Sequence, residues 1–328
     1  MSETHAARQF WIQAPGRGEI RQVRLPAAGD GDVLVRTRYS AISRGTETLV
    51  FRGEVPTSQY EAMRAPFQEG EFPAPVKYGY GSVGEVIDGP ESLRGRNVFV
   101  LYPHQDLYWV PAGSVTPLPD GVPIERAVLG AYMETAVNAM WDGRPAVADR
   151  VVVVGAGVLG LLTAWLCRQV PGTQVSVLDI DPEREPVARE LGLDFLHEPP
   201  EAADADLVFH ASGRPAGLRS ALAAAGVEGT IVDVSWYGSV DVALPLGEAF
   251  HSRRLSIKSS QVGRLPPERT PRWSRERRMR MALRLLGDPT LDVLISGESD
   301  FDELPEVLEQ LSVNPAGALC HRIRYTTS

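Results

Sequence analysis

Gly155, Gly157 and Gly160 fall in the spacing G-x-G-x-x-G, and an acid, Asp179, stands about twenty residues further on. The apolar run Val151–Val154 that enters the turn reads as a buried parallel strand. The segment Leu161–Val170 after it reads as a helix, and Val175–Leu178 as a second strand ending at Asp179. Each part has a chemical use. Gly155 permits the tight turn, Gly157 lets the main chain approach a pyrophosphate, and Gly160 lets helix and strand pack closely. With Val158 and Leu159 they open a helix whose free N–H groups and partial positive charge suit phosphate. A carboxylate at Asp179 can accept hydrogen bonds from both hydroxyls of an adenosine ribose. This strand–turn–helix context weighs against a glycine-rich turn that binds nothing, so a dinucleotide is expected. A 2′-phosphate would set negative charge against Asp179, which favours NAD(H) over NADP(H). Arg184, just downstream, is the residue able to offset that preference.

The elements that must position this turn follow a clear change of rhythm. Before it the chain reads as β-rich, with strands at Asp32–Tyr39, Ser82–Ile87 and Asn97–Leu101. The long polar and aromatic segment Phe51–Val76 interrupts them and reads as a partly ordered flap or a surface excursion. From Pro123 helix and strand alternate: a helix over 124–141, broken near Gly130, the turn region above, a helix over 182–191, a strand over 207–211, a helix over 215–225, and strands over 229–235 and 255–259. That is the rhythm of a doubly wound parallel sheet. From about Asp292 a strand, a helix over 301–311 and a last strand over 319–325 complete the chain. The expected division is 1–122, 123–288 and a return segment, 289–328. The arginine-rich stretch Arg269–Arg284 reads as a solvated helix face sooner than as an anion site.

Composition bounds the partners. The 328 residues, 43% hydrophobic and 23% charged, allow two domains and a large core. A net charge of −9 argues against nucleic acid or an anionic membrane as the main partner. No apolar run is long enough to span a bilayer, and the N-terminal segment is too polar for a signal peptide. Two isolated cysteines, Cys167 and Cys320, form neither a disulfide framework nor a cysteine zinc site. A cytoplasmic location is the default expectation.

Three further motifs give the chain a family resemblance. Ile42-Ser43-Arg44-Gly45-Thr46-Glu47 looks like a C-G-T-D turn, and Gly79-Tyr80-Gly81-Ser82-Val83-Gly84-Glu85-Val86 looks like a G-H-E-x-x-G-x-V strand. Thr135 stands where a nicotinamide-contacting threonine would be. In that order, with the glycine turn, they resemble the medium-chain dehydrogenase/reductase superfamily over nearly the whole chain. The resemblance implies an α/β protein with a β-rich GroES-like substrate domain, a Rossmann domain, an active cleft between them, and a homodimer. The I-S-x-G-T-E turn is also similar to that of the bacteriochlorophyllide hydroxyethyl dehydrogenases.

The chain departs from the zinc-dependent members of that family. The positions of their ligands are Arg44, Tyr80 and Ala131, of which Arg44 offers only donors and Ala131 offers nothing. The four-cysteine zinc lobe is replaced by the short run Tyr102–Leu107. The expectation is therefore a protein with no zinc. A site built from His104, Glu47 and Glu134 is the disfavoured alternative. Without a metal, proton donors must stabilise the charge that develops on the substrate oxygen. Thr46, at the family's proton-relay hydroxyl, is the first candidate, against a role as a turn hydroxyl. Tyr80 offers a phenol, or is a packed aromatic. His104, placed on a loop at the cleft mouth, suits proton exchange by its type, or is structural. Glu134 precedes Thr135 and is placed near the nicotinamide, or is a plain helical carboxylate. Arg44 either orients an anionic group or forms a surface ion pair. Ser212-Gly213 and Ser235-Trp236-Tyr237-Gly238 follow strands and are expected to line the nicotinamide half.

The expected function is that of a zinc-independent oxidoreductase that moves a hydride between a nicotinamide cofactor and a small-molecule secondary alcohol or ketone. An enoyl or quinone reductase, and a nucleotide-binding sensor without turnover, are the alternatives.

Overall fold

A computed structural model describes residues 5–314 and 317–326; the first four residues of the N-terminal segment lie outside them. The chain forms two compact units, Met1–Ala131 with Met279–Ser328, and Tyr132–Arg278.

The first unit opens with strands β1 (Ala6–Ala14), β2 (Arg17–Arg24) and β3 (Asp32–Ile42), then helix α1 (Arg44–Phe51). It continues through β4 (Glu69–Gly70), β5 (Val76–Lys77), β6 (Ser82–Asp88), β7 (Asn97–Val100), β8 (Leu107–Pro111) and β9 (Thr116–Pro117). The three predicted strands are β3, β6 and β7. The β1–β2 hairpin is an addition. Every residue of β2, RGEIRQVR, keeps some exposure, so its sequence carries little apolar alternation to read. The segment between α1 and β5 is packed onto this unit. Phe72 is buried between the rings of Tyr60 and Tyr78, and Phe67 stacks on Tyr102.

The second unit contains α2 (Gly130–Gly143), β10 (Arg150–Val154), α3 (Val158–Arg168), β11 (Gln174–Leu178), α4 (Glu185–Glu190), β12 (Asp194–Leu196), β13 (Ala205–His210), α5 (Pro215–Ala224), β14 (Ala225–Asp233) and β15 (Ser256–Ser259). Its six strands are all parallel, in the order β12-β11-β10-β13-β14-β15. Counted from β10 this is 3-2-1-4-5-6, the doubly wound order, and it reverses direction between β10 and β13. Valines and isoleucines fill the sheet centre: Val152, Val154, Val208 and Ile231 pack in one buried cluster with Leu218 and Leu222 of α5.

Helix α6 (Arg275–Leu285) leads back to the first unit, which finishes with β16 (Ile295–Asp300), α7 (Leu304–Val313) and β17 (Cys320–Arg324). These last strands join a seven-stranded sheet, β16-β17-β3-β6-β7-β9, with β8 also paired to β3. The changeovers between units fall inside α2 and α6, not at 122/123 and 288/289. The buried turn Ala127–Leu129 still packs on β3 and β6, so the first unit retains the start of the helical region. The protein is therefore an α/β molecule: a Rossmann-type doubly wound sheet plus a β-rich GroES-like unit.

Candidate active site

In the first unit the Tyr80 phenol comes to the start of α1. Ser43 is the residue before the helix, yet its hydroxyl makes no capping bond to the helix backbone. Glu47 does part of that work instead: the Ser43 N–H donates to Glu47 Oε1 at 2.9 Å. The Ser43 hydroxyl is thus left to accept from the Tyr80 phenol, at 2.6 Å. Thr46, in the first turn of α1, is near enough to the Tyr80 phenol to favour its ionised form. Burial holds the Tyr80 phenol well above its ordinary value, and the charge of Glu47 adds to this against the opposing effect of Ser43 and Thr46. Tyr80 therefore stays a protonated donor at neutral pH.

His104 lies on the loop between β7 and β8, but it is 1% exposed and not at an open mouth. Its Nε2 hydrogen-bonds Glu47 Oε2 at 2.8 Å, and its Nδ1 hydrogen-bonds Ser40 Oγ at 2.7 Å. Ser40 in turn reaches the Tyr325 hydroxyl at 3.0 Å. Glu47 itself is 2% exposed. His104 thus acts on the site through Glu47 and α1. Arg44 is held by a bond from Nη1 to the Ala318 carbonyl at 3.1 Å.

In the second unit the glycine turn connects β10 to α3. Gly155 has φ +109°, the left-handed region where a side chain is strained. At Gly160 a Cβ would lie 1.8 Å from the Gly155 carbonyl oxygen, so only glycine permits the approach. Gly157 is the N-cap and contributes no side chain. The first-turn N–H groups of Val158, Leu159 and Gly160 have no carbonyl of their own helix to bond, which fits them for phosphate. Asp179, at the end of β11, is tied to this turn: the Ala156 N–H donates to Oδ2 at 2.6 Å and the Asp181 N–H to Oδ1 at 3.0 Å. A carboxylate has about four acceptor positions, so Asp179 retains capacity for ribose hydroxyls. Arg184 is 6% exposed, with Nε 3.2 Å from Asp181.

Ser212 and Gly213 flank the same turn, since a Cβ on Gly155 would lie 2.7 Å from the Ser212 nitrogen. Thr135 lies in α2, half-buried. Glu134, beside it, is 4% exposed and engaged: Arg278 Nε donates to its Oε1 at 3.1 Å. Burial pushes the Glu134 carboxyl up, against the pull of Arg278.

The residues present do not fit a catalytic zinc. The three positions that the resemblance gives to zinc ligands hold a guanidinium already bonded to a carbonyl, a phenol that donates to Ser43, and an alanine. Of the alternative set, His104 and Glu47 are spent on each other and Glu134 on Arg278. Among the described residues no group of three or more His, Cys, Asp or Glu could hold a metal ion, and no helix is long and apolar enough to cross a membrane.

Sequence reasoning left Ser43 and Glu47 without roles in proton handling, and did not single out His210 and Asp233. A signal for the second pair exists: His-x-Ser (210–212) and Asp-x-Ser (233–235) end two consecutive strands, β13 and β14, in the same register.

No protein-family model matches the chain. The D-guloside 3-dehydrogenase of Escherichia coli K12 is 25% identical over 275 residues, covering 75% of this chain and 78% of its own. The crystal structure of L-idonate 5-dehydrogenase from E. coli K-12 superposes with a TM-score of 0.80 at 15% identity, over 98% of this chain and 99% of that one. A putative zinc-binding dehydrogenase from Sinorhizobium meliloti 1021, bound to NADP, gives 0.78 at 17% identity over 98% and 99%. With the sheet order and the glycine turn, these likenesses show that the chain has the fold of these dehydrogenases, and they agree with its resemblance to the medium-chain dehydrogenase/reductase superfamily.

Proposed function

We propose that this enzyme is a zinc-independent, NAD(H)-preferring oxidoreductase that interconverts a small-molecule secondary alcohol and its ketone. The observation that carries the reading is the hydroxyl cluster at the start of α1. Tyr80, at a position where zinc-dependent relatives hold a ligand, donates to Ser43 at 2.6 Å, with Thr46 near the same phenol.

The second unit would hold the cofactor: Gly155, Gly157, Val158, Leu159 and Gly160 at the pyrophosphate, Asp179 at the adenosine ribose, and Ser212, Gly213 and Thr135 toward the nicotinamide. Ile180, 92% exposed beside Asp179, offers an apolar face to the adenine. A nicotinamide held there would supply or take up the hydride. During ketone reduction negative charge grows on the carbonyl oxygen, and the Thr46 and Tyr80 hydroxyls stabilise it by donating hydrogen bonds. One of them then gives up its proton to that oxygen and takes one back from solvent, so the product leaves as a neutral alcohol and the hydroxyl is restored. Glu47, fixed by His104, raises the cost of a phenolate at Tyr80 and so keeps the phenol a protonated donor at rest. His104 is a positioning residue in this scheme, and Glu134 is held away from proton transfer by Arg278.

Two features favour NAD(H). Asp179 sets a negative charge where a 2′-phosphate would come, and Arg184, the residue able to compensate, is buried against Asp181. The S. meliloti neighbour binds NADP, so the preference rests on these residues and not on the fold. For assembly we propose a homodimer that pairs through β15, the outer strand of the parallel sheet, where Ile257 is exposed.

The test is a calorimetric titration of metal-analysed protein with NADH and NADPH, followed by a panel of ketones and enones. NADH binding with less than one-tenth equivalent of zinc, and turnover of a ketone, is the expected result. NADPH preference with enone turnover would replace this reading with that of an enoyl or quinone reductase. Cofactor binding without turnover of any substrate would favour a sensor.

A further inference from the structure

We infer that His210 and Asp233 form a positioning pair that sets the two loops receiving the nicotinamide half of the dinucleotide. The inference rests on the cofactor reading above and assigns residues that the glycine turn does not reveal.

The direction of the ligand follows from the order of strands in the second unit. Asp179 ends β11 and the glycine turn ends β10, so an adenosine at the first and a pyrophosphate at the second leave the remaining half to continue over β13 and β14. The loops leaving those two strands, residues 211–214 and 234–238, are both wired to one centre. His210, the last residue of β13, has a fully buried side chain and lies opposite Asp233, the last residue of β14. Its Nδ1 hydrogen-bonds Asp233 Oδ1 at 2.9 Å, and its Nε2 hydrogen-bonds Ser212 Oγ at 2.7 Å. Asp233 accepts the Ser235 N–H at 3.0 Å and, on its other oxygen, the Tyr237 hydroxyl at 2.9 Å. Ser235 Oγ accepts the Gly213 N–H at 3.0 Å, which closes the link from one loop to the other.

The chemistry fixes what each group can do. Asp233 is surrounded by donors: His210, the Ser235 N–H and the Tyr237 hydroxyl. As an ionised carboxylate it is acceptor-only, which holds the Nδ1 proton of His210 toward it. In the neutral imidazole Nε2 then accepts the Ser212 hydroxyl proton, while Ser212 Oγ accepts the Arg214 N–H at 3.2 Å. The Ser212 hydroxyl is therefore a spoke of the network, and its loop meets a ligand through other atoms. Gly217 of α5 seals the arrangement, because a Cβ there would lie 2.1 Å from Ser212 Oγ and 2.8 Å from His210 Nε2. No side chain can stand in for the imidazole by sliding in from the helix.

The two halves of the ligand separate this role from a general one in folding. ADP-ribose carries the adenosine, pyrophosphate and second ribose without the nicotinamide ring. The full chain is titrated with NADH and with ADP-ribose, as wild type, His210→Ala, His210→Asn and Tyr237→Phe. His210→Ala is expected to weaken NADH about tenfold, the worth of one or two net hydrogen bonds, and ADP-ribose less than about threefold. His210→Asn, whose amide N–H can replace the Nδ1 donor, is expected to recover part of the loss. Tyr237→Phe removes one hydroxyl from a half-buried ring and serves if the alanine variant does not fold; it should show the same NADH-selective loss at about threefold. Equal weakening of both ligands, or unchanged NADH binding in the folded variants, would overturn the inference. A wild-type protein that binds neither ligand would overturn the cofactor reading and this inference with it, whereas wild-type binding with non-selective variants would overturn the inference alone.

Discussion

Arg278→Met tests whether the buried ion pair at Glu134 holds the second unit together. Arg278 is 2% exposed and satisfies three acceptors: Glu134 Oε1 at 3.1 Å, Asn138 Oδ1 at 2.5 Å and the Val262 carbonyl at 2.7 Å. Removing the guanidinium leaves a carboxylate, an amide oxygen and a main-chain carbonyl in a site water hardly reaches. Breaking one side of a buried pair in this way costs about 3–5 kcal/mol. For a folding unit of roughly 150–250 residues, each kcal/mol lowers Tm by about 2–4 °C. The lower bound of about 3 kcal/mol then predicts a fall of about 6–12 °C in the transition that reports residues 132–278. Glu134→Met should cost a comparable amount for the opposite charge. The double variant should be less destabilised than the sum of the two, because neither charge is then stranded. Calorimetric unfolding of all four proteins at neutral pH gives the cycle. A loss under about 1 kcal/mol for Arg278→Met, or strict additivity in the cycle, would refute the argument.

Tyr80→Phe should lower kcat for ketone reduction by about 100-fold or more while leaving NADH binding intact; steady-state kinetics beside calorimetry would show it, and an unchanged kcat would exclude Tyr80 from proton handling. Gly160→Ala should abolish measurable dinucleotide binding, since its Cβ would sit 1.8 Å from the Gly155 carbonyl oxygen and the turn must open to admit it; a variant that binds like wild type would refute the close approach. Asp233 gives a pH dependence. Burial works to raise its carboxyl, but the bonds and charge of His210, the Ser235 N–H and Tyr237 outweigh burial and hold it below the usual carboxylate value. A carboxyl depressed in the folded state contributes its full stability above the unfolded value of about 3.9, and loses it as pH falls through the folded value. The stability gap between wild type and Asp233→Asn should therefore be wide at pH 7 and shrink below about pH 4; denaturant midpoints at both pH values measure it, and a gap that widens in acid would reverse the sign.

The elements that sequence alone determined are those with a local cause. The four valines of β10 run straight into the glycine turn, and strand and helix alternate from there, so the parallel sheet and its dinucleotide turn are legible from spacing. The position of Asp179 is likewise a matter of counting along the chain. Tyr80 and Thr46 were proposed from the order of short motifs; the fold brings the Tyr80 phenol to Ser43 because β6 returns beside the end of β3, from which α1 departs.

Only tertiary structure decided the partners of the charged and titratable groups. Glu134 looked like a free acid beside Thr135 because its partner, Arg278, lies 144 residues away. His104 looked accessible on its loop, yet Glu47, 57 residues away, and Ser40 enclose it. Arg184 is placed by the sequence where it could reach a 2′-phosphate, and the fold sets it against Asp181. His210 and Asp233 each end a strand in a short x-Ser pattern that does not say they meet, and they become a pair only when β13 and β14 lie in register. Periodicity and turn chemistry record what neighbouring residues do to one another. The state of a buried acid, base or guanidinium is set by whichever group the fold brings within hydrogen-bond reach, because at low dielectric that partner decides between a satisfied charge and a costly one.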